Sequence, residues 1–258
     1  MTIVTLTSDF GVHDYDVAAI KGAMLHSERN LLFVDISHNI KHHDIVQAAF
    51  VFKNAWHHFP EGTIHLLSVK NFDVAHKGFL LIRHAGHYFI GPDNGVFWLV
   101  FEQMPTEVYQ LPLPAPSRFP LCAVYAQAVG HIATQKPLQE LGPLTQTMVQ
   151  RIALQPVTTV SQIRGSVIYI DNFDNVIINI AQDLFEKVGR GRTFALYFKR
   201  HDPIRRLSTH FYDVPIGDTL CRFNSAGFLQ IAIYMGRAAT LLGLQVDDII
   251  QIDFHNKK

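Results

Sequence analysis

The sequence has few cysteines, few charges and no excess charge of either sign. Its two cysteines, Cys122 and Cys221, lie too far apart for a disulfide framework or a cysteine metal site, so we expect buried thiols in a reducing compartment. Lys plus Arg and Asp plus Glu both number 22, which leaves no field to attract nucleic acid or an anionic membrane. With 48% hydrophobic residues, the 258-residue chain can bury a large core, which excludes a disordered protein.

Several common signatures are also missing. The chain has no Gly-x-Gly-x-x-Gly, no phosphate-binding Gly-x-x-x-x-Gly-Lys-Ser/Thr and no Gly-x-Ser-x-Gly, so nothing supports a dinucleotide fold, a P-loop or an α/β-hydrolase. No apolar run approaches the length of a membrane helix, and the N-terminus reads at once as a strand, not as a signal peptide. We expect a cytoplasmic protein with no membrane or nucleic-acid partner.

The first part of the chain alternates apolar runs with helical patterns. Runs at 3–6, 31–36 and 63–69 are separated by two stretches, one at 15–25 and one that begins at Asp44, in which apolar residues recur every three or four positions. This order predicts a largely parallel sheet flanked by helices. A strand pair is predicted at 78–83 and 87–91, and another helix at 121–134. We expect residues 1–155 to form this α/β domain.

The second part has a different pattern. Short β runs at 165–171, 176–180, 193–199, 219–223 and 249–254 are separated by turns. The sequence therefore predicts a smaller antiparallel β-barrel domain over residues 160–258. Between Pro137 and Val160 the pattern weakens, as it does at domain boundaries.

Asp9 follows the first predicted strand, in the stretch Thr7-Ser8-Asp9-Phe10-Gly11. Open α/β sheets bind ligands at the carboxyl ends of their strands, so this carboxylate is a candidate acceptor for paired hydroxyls such as those of a ribose. An Asp in this position can equally cap a helix or form a turn. Position alone leaves both interpretations open.

Other polar clusters are open to two interpretations as well. The stretch from Asp171 to Asn175 could present acceptors to a small polar ligand, but a tight hairpin whose side chains bond the backbone is the better explanation. A histidine cluster invites a metal, yet its adjacent members would point in different directions, so no metal site is predicted. The cluster consists of His38, His42 and His43, with Asp35 and Asp44 nearby.

A set of short stretches, taken in order along nearly the whole chain, resembles the S-adenosylmethionine hydroxide adenosyltransferases. These enzymes are relatives of the fluorinating and chlorinating enzymes that act on the same substrate. The stretches are Thr5 to Gly11, Lys21-Gly22, Val34 to His38, Asp44-Ile45, Ala48 to Phe50, Phe59 to Thr63, Pro92 to Gly95, Asp171 to Asn175 with Asn179-Ile180, and Asn224 to Gly227 with Ile231-Ala232.

The resemblance implies an α/β domain followed by a small β-barrel domain, assembled as a homotrimer. The adenosyl ligand would lie between the first domain of one subunit and the second domain of its neighbour. S-adenosylmethionine is implied as substrate or ligand, with no other cofactor. Asp9 would hold the ribose hydroxyls, and the remaining implied ligand-binding residues are Asp14, Asp16, Asp171, Phe173, Asn175 and Ser225.

The chain departs from the family where water is handled. The hydrolases position the attacking water with an Asp, an Arg seven residues later and a His; here the aligned residues are Lys70, Lys77 and Pro120. A Lys reverses the charge of the Asp, and Lys lacks the planar fork of Arg. Two functions stay open: an enzyme in which Lys70 and Lys77 attract or deprotonate a nucleophile, and a catalytically inactive adenosyl-binding protein. A shifted alignment would bring in Asp73 or His76 instead.

Overall fold

The structure is a computed structural model that describes residues 1–71, 78–112 and 118–256. The chain divides into two compact units, Met1–Ala153 and Leu154–Lys258.

The first unit is built on a six-stranded sheet with the order β2-β1-β3-β5-β4-β6. Strands β2, β1, β3 and β5 pair in parallel, and β4 pairs antiparallel with both β5 and β6. The apolar runs give strands because a parallel strand covered on both faces must be apolar on both. The strands are β1 (Thr2–Ser8), β2 (Leu31–Ser37), β3 (Ile64–Ser68), β4 (Phe79–His84), β5 (His87–Pro92) and β6 (Glu107–Leu111).

Helices cover both faces of this sheet. Helices α1 (Asp16–Ser27) and α4 (Pro120–Ala133) pack on one core cluster, which includes Met24 and Tyr125. Helices α2 (Ile45–Lys53) and α3 (Val96–Phe101) pack on the cluster of the other face, which includes Phe52. Asp44 caps α2 by accepting hydrogen bonds from the backbone N–H of Val46 and Gln47, as its position before the helical pattern predicts.

The second unit is a curled antiparallel sheet with the order β10-β13-β8-β9-β12-β11 and a two-residue strand, β7, beside β8. The segment after β10 bridges to β10 at Ile204 and to β11 at Leu207, so it links the two edge strands. The elements are β7 (Val157–Thr158), β8 (Gln162–Ile170), β9 (Val176–Ala181), α5 (Gln182–Gly189), β10 (Thr193–Phe198), β11 (Thr219–Phe223), β12 (Phe228–Ile233), α6 (Ala238–Leu242) and β13 (Ile249–His255).

The predicted fold class is confirmed: a helix-flanked, largely parallel sheet precedes a curled antiparallel one. The structure adds elements that the sequence patterns did not assign, namely α3 at the apolar run 96–101, α5 and strand β12. No helix in the described part of the chain combines the length and hydrophobicity that a bilayer crossing requires.

Candidate functional site

Asp9 lies at the carboxyl edge of the first sheet, where three parallel strands end side by side. It directly follows β1, and the loops after β2 and β3 fold against it. Its Oδ2 accepts a hydrogen bond from the backbone N–H of His43 at 2.9 Å and one from that of Lys70 at 3.3 Å. The Asp9 side chain is only 7% exposed. Its carboxylate therefore joins loops that are distant in sequence.

This geometry decides one question that the sequence left open. Asp9 does not cap α1, whose N-cap residue is Tyr15, and both donors to its Oδ2, the N–H groups of His43 and Lys70, are far along the chain. Within the described ranges no hydrogen bond reaches the other oxygen, Oδ1. The interpretation as a local cap or turn is therefore wrong, and Oδ1 keeps its capacity to accept hydrogen bonds.

Two histidines of the loop after β2 stand beside Asp9. His42 Nδ1 is 3.2 Å from the Asp9 carbonyl oxygen, and His43 Nδ1 is 3.8 Å from the Asp9 carboxylate oxygen Oδ2. The backbone of His43 is left-handed, with φ 64°, which turns its N–H toward the carboxylate. Among the described residues no group of three or more His, Cys, Asp or Glu side chains is arranged to hold a metal ion.

Lys70 sits next to Asp9, directly after β3. Its backbone is also left-handed, with φ 53°, and its N–H is one of the two donors to the carboxylate. The buried Asn94 holds this loop by donating from Nδ2 to the carbonyl oxygens of Val69 and Lys70, at 2.9 and 3.1 Å. Asn94, from the stretch Pro92 to Gly95, thus fixes the position of Lys70.

Two further positions, Pro120 and Lys77, depart from the residues that the hydrolases carry. Pro120 is the first residue of α4, where proline is well suited because the missing N–H has no helical partner and φ is already helical. Lys77 lies outside the described residues, as do Asp73 and His76.

A chain of polar contacts, which the sequence reasoning did not single out as a unit, runs from the buried Ser8 and His38 to the exposed Asp35 on β2. Ser8 Oγ and His38 Nδ1 are 2.7 Å apart, and His38 Nε2 is 3.1 Å from Asp35 Oδ1 although poorly aligned for a hydrogen bond. Lys21 Nζ completes the chain at 2.7 Å from Asp35 Oδ2. Burial raises the pKa of Asp35, but its contacts with Lys21 and His38 outweigh this, so the pKa is lowered. Asp35 stays ionised and holds His38 against Ser8, the residue before Asp9.

A second network connects the end of β3 with α4. The fully buried Tyr125 donates from its hydroxyl to Ser68 Oγ at 2.8 Å, and Ser68 Oγ donates to Asn71 Oδ1 at 3.1 Å. Burial raises the pKa of Tyr125, so it remains a neutral donor. The loop that carries Lys70 is therefore fixed on both sides, by Asn94 and by Tyr125.

The two acidic residues after Asp9 are less confined. Asp14 is exposed, and Asp16 is the half-buried first residue of α1. Asp14 lies in the segment between β1 and α1, Asp16 begins α1, and neither carboxylate is held by a hydrogen bond within the described residues.

Three predicted residues of the second unit share one hairpin, between β8 and β9. Asp171 Oδ1 accepts from the N–H groups of Phe173 and Asn175, both at 2.9 Å, and Oδ2 accepts from Asn175 Nδ2 at 2.9 Å. The hairpin interpretation with side chains bonding the backbone is thus confirmed. Phe173 is 76% exposed at the tip, whereas Asn175 is buried. This turn presents an exposed aromatic side chain on a backbone held by the Asp171 hydrogen bonds.

Ser225 lies elsewhere in the same unit. It is an exposed residue in the turn before β12, which Asn224 fixes by accepting from the N–H groups of Ala226 and Phe228. Phe228 pairs with Ala181, at the far end of β9 from the Asp171 hairpin. The six residues of β9 separate the two turns by roughly 20 Å at about 3.3 Å per residue. One unit does not bring Ser225 together with Asp171.

The fold is thus that of a two-unit protein, and its α/β unit holds a buried carboxylate at the edge of the sheet where open α/β sheets bind ligands. Comparison with known proteins gives the class. The SAM hydroxide adenosyltransferase N-terminal domain matches residues 4–142, and the SAM hydroxide adenosyltransferase C-terminal domain matches residues 165–251. The chain belongs to the SAM hydroxide adenosyltransferase family.

Individual relatives agree with this assignment. The chain is 29% identical to an (R)-S-adenosyl-L-methionine hydrolase from Thermus thermophilus, over 95% of this chain and 97% of the relative. It is 28% identical to a fluorinase from Actinoplanes sp., over 89% and 90% of the two chains. A crystal structure of an uncharacterized conserved protein from Thermotoga maritima superposes with a TM-score of 0.86 at 26% identity, covering 98% of this chain and all of the other.

Proposed function

We propose that this protein binds S-adenosylmethionine through its Asp9 site. The observation that carries the proposal is that the two oxygens of the Asp9 carboxylate differ in their hydrogen bonding. Oδ2 accepts from two backbone N–H groups, while Oδ1 keeps its capacity to accept hydrogen bonds from a ligand. A carboxylate fixed in this way can accept hydrogen bonds from ribose hydroxyls without having to be ordered on binding. Its negative charge also favours a cationic sulfonium over a neutral ligand.

The remaining ligand contacts are proposed from the family resemblance. Asp14 and Asp16 border the pocket from the first unit. Asp171, Asn175 and Ser225 contact the amino-acid end or the adenine, with Phe173 packed beside them. The exposed Phe173 ring supports this role, because an adenine stacks well on an aromatic face.

A second candidate function is hydrolysis of the bound ligand, which the name of the Thermus thermophilus relative favours. In this reaction the oxygen of a water forms a bond to C5′ of the adenosyl group. The C5′–sulfur bond breaks, its electron pair stays on the sulfur of methionine, and the water loses one proton to a base. Sulfonium is already a good leaving group, so the protein must mainly orient and desolvate the nucleophile. The products are adenosine and methionine.

Lys70 and Lys77 are the residues we propose for the nucleophile. Lys70 supports this role by its place, since its peptide N–H contacts the Asp9 carboxylate. A lysine side chain here would attract an anionic nucleophile, or in its neutral form act as a base. Against catalysis stand the charge reversal at Lys70 and the loss of a histidine at Pro120. These changes favour a protein that binds the ligand without cleaving it.

Incubation with S-adenosylmethionine separates the two candidates. We expect the pure protein to bind the ligand in calorimetry, and chromatography of the mixture over hours measures adenosine and methionine. Equimolar release of both, reduced in Lys70→Ala but retained in a Lys53→Ala control far from the site, would establish hydrolysis. Binding without either product would leave a binding protein. If neither S-adenosylmethionine nor adenosine binds, the proposed function is wrong.

We further propose a homotrimer whose ligand sites lie at the subunit interfaces, as the resemblance implies. Static light scattering of the purified chain should then give about three times the mass of 29.2 kDa. A monomer at micromolar concentration would rule out the shared site.

The Phe173→Ser variant tests the proposed contact of Phe173 with the ligand. Because this residue is exposed, its loss should leave the second unit folded while weakening ligand binding.

A further inference from the structure

His43 places an exposed titratable group against the buried Asp9 carboxylate. Its Nδ1 is 3.8 Å from Oδ2, and 75% of its side chain is exposed. Its peptide N–H, and not its ring, holds the carboxylate in place at 2.9 Å. The imidazole can therefore change its charge without releasing Asp9.

The charge of this ring bears directly on the ligand. Imidazole groups gain a proton between about pH 8 and 5, and a protonated His43 would place a positive charge beside the Asp9 carboxylate. The other charged or titratable groups here are Asp9 from the loop after β1, Lys70 from the loop after β3, and Lys41, His42 and Asp44 from its own loop. Among these groups His42 carries the second imidazole.

We infer that His43 sets the charge preference of the Asp9 site, so that acidification selectively weakens the binding of cationic adenosyl ligands. This inference rests on the proposed ligand and adds a specificity-determining residue to it. A sulfonium cation is repelled by protonated His43, whereas a neutral thioether of the same shape is not. For two unit charges roughly 8 Å apart at an effective dielectric constant of roughly 40, the effect on affinity is about fivefold.

Two ligands that differ in one charge test the inference. S-adenosylmethionine carries a sulfonium, and S-adenosylhomocysteine has the same nucleoside and amino acid with a neutral sulfur. Calorimetric dissociation constants for both are measured at pH 7.0 and pH 5.5, within a time in which chromatography detects no product. We expect the ratio of the two constants to shift against S-adenosylmethionine by about fivefold at the lower pH.

The variant His43→Asn removes the titrating ring but keeps the peptide N–H, and asparagine tolerates the left-handed backbone of this position. It should remove the contribution of the His43 ring to the shift in the ratio and retain binding of both ligands. His26→Asn, at the exposed end of α1, should leave the shift intact. An equal pH dependence for both ligands in the unaltered protein, or an unchanged shift in His43→Asn, would overturn the inference while leaving the proposed function in place. Binding of neither ligand would instead refute the proposed function.

Discussion

Asp9→Asn should lower the affinity for S-adenosylmethionine by between about tenfold and a hundredfold, because a hydrogen bond to a charged group contributes about 1.5–3 kcal/mol. The amide oxygen of asparagine can still accept from the N–H groups of His43 and Lys70, so the loops stay in place. What is lost is the negative charge that faces the sulfonium and one acceptor for the ribose hydroxyls. Isothermal titration calorimetry at neutral pH measures the change.

The control for this variant is Asp202→Asn, which removes an exposed carboxylate of the second unit. Its affinity should match that of the unaltered protein. A thermal unfolding scan of both variants shows whether either one has lost its fold. If folded Asp9→Asn binds S-adenosylmethionine as tightly as the unaltered chain, Asp9 is not the ligand anchor.

A drop in pH from 6.5 to 4.5 should lower the free energy of unfolding by about 2 kcal/mol through His65 alone. This side chain is buried in the first sheet, where Nδ1 is 2.7 Å from Thr5 Oγ1 and Nε2 is 3.1 Å from His87 Nδ1. Burial, together with the neighbouring His87 and His57, lowers the pKa of His65 from 6.5 to about 3. The unfolded chain therefore takes up a proton below about pH 6.5, while the folded chain does so only near pH 3. The stability is complete above pH 6.5 and is lost as the pH falls toward 3.

Urea unfolding at a series of pH values measures this dependence. His65→Gln should flatten the curve between pH 6.5 and 4.5, because glutamine does not titrate. His26→Gln, which alters an exposed histidine, should keep the slope of the unaltered protein. An unchanged slope in His65→Gln would show that other groups cause the acid sensitivity; His87, whose pKa burial also lowers, would be the next to test.

The sequence predicted those elements whose signals are local. The strands β1, β2 and β3 were readable because short, mainly apolar runs bounded by polar or turn residues are characteristic of strands in a parallel sheet. The hairpin at Asp171 was readable because its hydrogen bonds join residues within four positions. The run Val96 to Phe101 could not be assigned from the sequence, since a six-residue apolar stretch fits a buried strand as well as a buried helix. In the structure it is a helix, and Asn94 accepts a hydrogen bond from the N–H of Val96 at its start.

The candidate site was predictable only in part for the same physical reason. A position after a strand marked Asp9, but its donors come from loops whose approach depends on how the sheet is ordered. The chain from Ser8 through His38 to Asp35 likewise needs two strands to be neighbours before it exists. Both the Asp9 contacts and this chain of contacts depend on which strands and loops become neighbours in the fold, which a local sequence pattern does not show.

The way in which Asp9 is held also bears on how such a site can evolve. Both donors to its carboxylate are peptide N–H groups, and every residue except proline supplies one. The side chain at position 70 can therefore change from an acid to a lysine without releasing the anchor, provided that the new residue accepts a left-handed backbone. In the proposed function, ligand binding therefore depends on peptide N–H groups and the handling of the nucleophile on side chains, so one can be inherited while the other changes.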